Sequence, residues 1–431
     1  MRDLVLAPII IWLCFSALRR PWVGVMGWTW ISMMNPHAYA WTLNSLPVAA
    51  AIAGCTLLGA IVTKDKRDFS LTPEMSVLIA FMCWMCITLP FSFNFDDSYL
   101  MWKRVMKIDF MVLVTLVLLY TKKHLITFIW VVVGSIGFYG VKGGLFTIAT
   151  GGAYRVWGPT GTYIDGNNEV ALALIIITPL FRFLQLQLTS KWGKRAITVS
   201  ILLCAAAALG SHSRGALLAL AAMAGALWWF GGRQIGVLIG IVVAAFVALA
   251  FMPEEWFSRM NTISEYQADT SAMGRINAWY MAWNLAKDNF FGGGFEIYNR
   301  MLFGMYAPDP DAVHAAHSIY FQVLGEHGFV GLILFLTLWA LVWWNAGKLR
   351  KEAKKQPETK WVSDLGAMCQ VSLVGYAVGG AFLSLAYFDL PYNIMIMVVL
   401  ARRWVARKGW LEENTQGATL ATETPPKLKV P

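Results

Sequence analysis

The chain has 431 residues, 58% of them hydrophobic and only 14% charged, with 21 Trp and a formal net charge of +10. That balance excludes a water-soluble globular domain. Apolar runs of about 15 to 28 residues recur along it, each long enough to cross a hydrocarbon core as a helix, and their continuity excludes the alternating pattern of a barrel.

In chain order, residues 1–34 are split by Arg19-Arg20-Pro21 into two short apolar halves, readable as one span with an interfacial piece or as two short spans. Run length then predicts spans at 46–63, 75–92, 105–120, 125–149, 168–187, 196–210, 215–230, 234–252, 318–345, 366–384 and 389–403. The fold class is an all-α integral membrane protein with about 12 transmembrane helices. The six cysteines all lie inside apolar runs, so no disulfide framework is expected, and Cys83 and Cys86 read as packing residues. No small-residue cleavage site follows the first apolar stretch, so it reads as retained.

If the spans alternate, Lys64-Asp-Lys66-Arg67, Lys122-Lys123, Lys191 with Lys194-Arg195, Arg233, "GKLRKEAKKQPETK" and "ARRWVARK" share one side, which the positive-inside rule makes cytoplasmic. Three parts follow: an N-terminal transmembrane region 1–150, a region 151–405 that carries the chemistry and includes a large external loop 253–317 with short helices, and a polar, disordered cytoplasmic tail 406–431.

The external side holds the unusual polar residues. Arg214 falls in a tight turn, Ser211 to Gly215, between two spans, where it either snorkels to lipid phosphates or binds an anion. In the loop, "DTSAMGRINAWYMAWNLAKDNFFGGGF" predicts a helix with Arg275, Trp279, Ala282 and Ala286 on one face, lying along the membrane interface and stopped at Gly292-Gly-Gly294. His314 and His317 stand immediately before the span 318–345. "GGAYRVWGPTGTYIDGNNEVA" adds Arg155 and the pair Asn167-Asn168. Lys103, Arg104 and Lys107 fall outside against the orientation rule, which points either to an anionic ligand or to anionic headgroups.

Clustered cations at the mouth of an apolar bundle, with an imidazole nearby, suit a substrate with a long apolar tail and a diphosphate head. Arginine forks pair with phosphate oxygens, and histidine has a pKa suited to taking a proton from an attacking hydroxyl. Glycosyl transfer from a lipid diphosphate is the class that follows.

The run "HSIYFQVLGEHGFVG", the turn "SRG" at 213–215 and "GRINAW…DNFFGGGF" resemble the signatures of bacterial O-antigen ligases and related polymerases over about residues 150–400. The opening "MRDLV…RRPWVGV…MNPH" is similar to O-glycosylation ligases associated with exosortase systems. The resemblance implies transfer of a glycan from undecaprenyl diphosphate to a lipid A-core sugar at the periplasmic face of a Gram-negative inner membrane. It implies neither metal nor nucleoside triphosphate, and inversion at the anomeric carbon. Membrane lipids are partners and nucleic acid is not. By the same resemblance His317 is the base, Arg214 and Arg275 hold the diphosphate, and Asp389 corresponds to a family aspartate near the last hairpin.

Glu326 is nine residues beyond His317, on the opposite helix face and roughly 13 Å along the axis, so it must find another partner or be neutral. His327 reads as a packed helix residue, and His314 and Asn168 as supporting residues. Asp309 and Asp311 imitate the acidic pair of nucleotide-sugar glycosyltransferases, but no nucleotide-binding fold surrounds them, so no metal site is assigned. The alternatives are a polymerase or protein O-glycosylation ligase of the same fold and, in another class, a non-enzymatic glycolipid flippase or exporter.

Overall fold

A computed structural model describes residues 2–230, 254 and 270–411. The span read at 234–252, most of loop residues 253–269 and the tail beyond Leu411 lie outside the described residues. Among the described residues the regular structure is entirely helical.

Residues 1–34 form two helices, α1 (Arg2–Arg19) and α2 (Pro21–Met34), because Pro21 cannot continue α1 but suits the first turn of α2. There follow α3 (Val48–Val62), α4 (Pro73–Thr88), α5 (Phe95–Leu118), α6 (Lys122–Ala149), α7 (Asn167–Gln187), α8 (Lys191–Gly210) and α9 (Arg214–Phe230). After the undescribed stretch come α10 (Thr270–Asp288), α11 (Arg300–Tyr306), α12 (Ile319–Glu352), α13 (Lys360–Gly380) and α14 (Asp389–Ala406). Starts are set by side chains that satisfy orphan amides: Thr121 accepts from the His124 amide at 3.0 Å and Asn299 from the Leu302 amide at 3.0 Å.

Five described helices are long and apolar enough to cross a membrane: Pro73–Phe91, Lys122–Ala149, Asn167–Gln187, Lys191–Gly210 and Ile319–Glu352. Val48–Val62 and Arg214–Phe230 are shorter apolar helices. The span expected at 105–120 is the inner part of a longer helix, since Asn94 caps α5 eleven residues before the apolar run begins. The chain is a multi-pass membrane protein.

α14 and α7 are buried along most of their length and form the axis of one continuous core that reaches from Val25 to Trp404. α6 and α8 lie close together because Gly140 and Gly144 face them: a Cβ at Gly144 would strike the Leu203 carbonyl. α13 packs against α7, α9 and α12.

One end of the bundle is tied by cations. Arg402 Nη1 meets Glu74 Oε1 at 2.7 Å, Arg403 Nη1 donates to the Leu116 carbonyl at 2.6 Å, and the Arg350 guanidinium lies 4.0 Å from the Phe230 ring centroid. These contacts gather the start of α4 and the ends of α5, α9, α12 and α14. The opposite end holds the starts of α7, α9, α12 and α14, and the cavities described next.

Candidate functional site

α8 stops at Gly210, and the next three residues reverse the chain. His212 adopts a left-handed conformation (φ 57°), and Ser213 Oγ accepts the Ala216 amide at 3.2 Å, which starts α9. Arg214 is therefore the first residue of a capped helix and not part of the turn itself. The turn is fastened from both sides: Asn167 Nδ2 donates to the Ser211 carbonyl at 2.7 Å, and His212 Nε2 lies 2.9 Å from the Gly152 carbonyl. Asn167 opens α7, so the starts of α7 and α9 are held together.

α10 brings the second arginine. Ala278, Met281, Ala282 and Leu285 are buried, and the helix packs on α12. Asn277 locks the following loop by donating to the carbonyls of Asp309 (2.7 Å) and Ala312 (3.1 Å) and accepting the Asp309 amide at 2.9 Å. Trp279 Nε1 donates to the Ala316 carbonyl at 2.7 Å, and its ring stacks on Phe321 at 5.2 Å. These contacts fix residue 316 and hence its neighbour His317. Trp279 packs on α12 instead of facing a lipid interface. Gly274 leaves room for the His314 ring, which a Cβ there would strike.

The strand of glycines after α10 is fitted to a break in α12. Gly328 has φ 66° and ψ −171°, a conformation essentially restricted to glycine. The break leaves the Gly325 and Glu326 carbonyls without helical donors, and the amides of Gly293 and Gly294 take them at 2.9 and 3.0 Å. A Cβ at Gly292 would come within 2.6 Å of the Glu326 carbonyl oxygen. The Gly-Gly-Gly segment thus does more than end α10: it repairs α12.

Arg214, Arg275, His314, His317 and Asn168 line one cavity of about 320 Å³, together with Ser213, Ser271, Phe382 and Leu383. The starts of α7, α9 and α12 converge there, and each helix N-terminus carries roughly half a positive charge. His317 is itself left-handed (φ 43°), and its buried Nδ1 has no hydrogen-bond partner among the described residues. Burial, and then the charges of Arg275 and His314, push its pKa down to about 4, so the imidazole is neutral at neutral pH. Such a cavity can hold a compact polyanion beside a neutral base.

The other predicted residues are elsewhere. Arg155 is exposed on the loop after α6 and does not line this cavity. Lys103, Arg104 and Lys107 line a separate cavity of about 760 Å³ between α2, α3 and α5. Asp389 is buried; Ser32 Oγ donates to its Oδ2 at 2.5 Å, and it borders this second cavity and not the first. Glu326 is buried and accepts from the Tyr387 hydroxyl at 2.5 Å, a partner that sequence spacing could not name. His327 is packed, with Nδ1 2.9 Å from Thr88 Oγ1. Of the cavity residues not foreseen, Ser213 had a readable signal, a serine immediately before a helix start. Phe382 and Leu383 had none, because they arrive through tertiary packing of the α13–α14 turn.

Residues 199–336 match the family described as O-Antigen ligase, and residues 1–192 match a family of unknown function (DUF5935). The first of these segments, about a third of the chain, is what is similar to the O-antigen ligase family. Members of that family are glycosyltransferase-like ligases or polymerases acting on lipid-linked glycans in membranes. No curated protein matches the chain. The ligase match contains Arg214, Arg275, His314 and His317, whereas Lys103, Arg104 and Lys107 fall within the other match.

Proposed function

We propose that the protein is an O-antigen ligase: a glycosyltransferase that moves a glycan from undecaprenyl diphosphate to a lipid A-core sugar at the periplasmic face of the inner membrane. The observation that carries this reading is the single cavity shared by Arg214, Arg275 and His317 at three helix N-termini, within the segment that matches the ligase family. The two guanidinium groups hold the donor diphosphate, which suits their paired donors. An acceptor hydroxyl attacks the anomeric carbon from the face opposite the diphosphate. The carbon–oxygen bond to the diphosphate breaks and its electron pair leaves with the phosphate oxygen. His317 takes the hydroxyl proton, and the configuration inverts.

The low pKa of His317 fits this scheme. Burial, the larger cause, persists with donor bound, but a diphosphate entering the cavity offsets the Arg275 charge and so moves the imidazole pKa upward. Arg155 lies outside the cavity and has no part in this scheme. The periplasmic placement is supported by the basic clusters at the other end of the bundle, and a topology of about 12 spans accommodates both ends.

The test is to incubate purified protein with lipid-linked glycan and lipid A-core. Glycan on the core supports the ligase; elongation on undecaprenyl diphosphate supports a polymerase using the same cavity. His317→Ala should slow formation of either product by about 10²- to 10⁴-fold while donor affinity stays within about threefold, and unchanged turnover would remove the catalytic assignment.

A further inference from the structure

The second cavity differs from the first in size, charge and lining. On α5, Lys103 and Lys107 are one turn apart with Arg104 beside them, an arrangement that is mutually repulsive by a few tenths of a kcal/mol per pair. Among the described residues none of the three forms a salt bridge. Lys103 Nζ lies 4.6 Å from the Tyr99 ring centroid and the Arg104 guanidinium 4.1 Å from that of Tyr163, while Lys107 is exposed. The one carboxylate on the lining, Asp389, already accepts from Ser32, so the wall carries a net positive charge.

Apart from Ser32, Asn35, His37, Thr162 and the Tyr163 hydroxyl, the rest of the lining is apolar. Ala49, Ala50, Ala53 and Leu57 run along α3 for about 12 Å, opposite Phe110 and Met111. Cations at one part of a cavity and a hydrocarbon strip along another match an amphiphile and not a free anion. The two cavities draw on neighbouring residues of the same two segments: residues 161–164 line the second and Asn168 the first, and Leu383 lines the first while Phe388 lines the second.

We propose that the cavity between α2, α3 and α5 binds the phosphate-bearing head of a second membrane lipid, its tails along α3, and that this lipid is the acceptor side of the transfer. The acceptor role rests on the function proposed above; the lipid site does not. A group-transfer enzyme with two lipid substrates needs two openings, and here a small polar cavity and a large amphipathic one are lined by neighbouring residues of the same two segments.

The experiment titrates the full chain in detergent with dihexanoyl phosphatidic acid, dihexanoyl phosphatidylcholine, inorganic phosphate and a short prenyl diphosphate. The phosphatidic acid should bind at least about tenfold more tightly than the phosphatidylcholine, and equimolar phosphate should not displace it. Lys103→Gln with Lys107→Gln should weaken the phosphatidic acid at least about tenfold and leave prenyl diphosphate unchanged, with Lys103→Arg and Lys107→Arg restoring binding. Arg275→Gln should do the converse. Equal phosphatidic acid affinity in the Gln variant, equal binding of the neutral lipid, or displacement by phosphate alone would overturn the proposal. If Arg275→Gln leaves prenyl diphosphate binding intact while the lysine variant behaves as expected, the ligase reading fails and the lipid site stands.

Discussion

The two ends of the bundle use positive charge differently. At one end Arg402 and Arg403 are matched to acceptors of the protein itself: the Glu74 carboxylate, the Leu116 carbonyl and, 3.9 Å from Arg403 Nε, the Asp68 carboxylate. At the other end Arg214 and Arg275 stand on a cavity wall beside an imidazole with an unpartnered Nδ1, and Lys103, Arg104 and Lys107 line a second cavity. Among the described residues Lys103, Arg104 and Lys107 form no salt bridge, and near hydrocarbon a cation without a matched carboxylate is expensive, so its place on a cavity wall points to a ligand, whereas Arg402 and Arg403 serve the architecture.

The sharpest way to break this contrast is to remove one group from each end. His317→Ala should cost transfer about 10²- to 10⁴-fold, the range for a general base, with thermal stability nearly unchanged. Arg402→Ala should do the opposite: Glu74 is fully buried and, among the described residues, keeps only Asn345 as a hydrogen-bond partner, so unfolding should become easier by about 3 kcal/mol while prenyl diphosphate affinity of the folded protein is kept. Loss of donor binding in Arg402→Ala would show that the ends are not separable. Gly328→Ala should cost about 1–3 kcal/mol of stability, because alanine cannot adopt that backbone without strain and its Cβ would meet the Phe290 carbonyl. A melting curve equal to that of the unmodified protein would mean that the α12 break is not fixed by this residue.

The smallest effect is in pH dependence. A base with its pKa lowered to about 4 stays neutral as pH falls through 6.5, so the acid limb of kcat/KM, which reports free enzyme, should lie below the ordinary histidine value. The acid limb of kcat should lie at higher pH, since bound diphosphate favours the protonated imidazole. Coincident limbs near pH 6.5 would contradict the electrostatic account of His317.

Much of this contrast was legible in the sequence. Run length marked apolar helices because only continuous apolar segments can span hydrocarbon, and Arg19-Arg20-Pro21 marked the division between α1 and α2. The sequence also marked Arg214, Arg275 and His317 as unusual at the mouth of an apolar bundle. It could not separate them from Lys103, Arg104 and Lys107, since which side of loop 161–168 a cation faces is decided by packing and leaves no local pattern. The surroundings of Asp389 were hidden for the same reason: Ser32, 357 positions away in the chain, is brought beside it only by packing. Tyr387 as the partner of Glu326 was equally invisible, because it depends on the α13–α14 turn folding back over α12.

The most direct test is an experimental structure of the full chain with a polyprenyl diphosphate bound. Phosphate oxygens within hydrogen-bonding distance of both Arg214 and Arg275, with the His317 ring facing the carbon that bears the glycan, is the predicted result. A diphosphate held by Lys103 and Lys107 instead, with the first cavity empty, would contradict it.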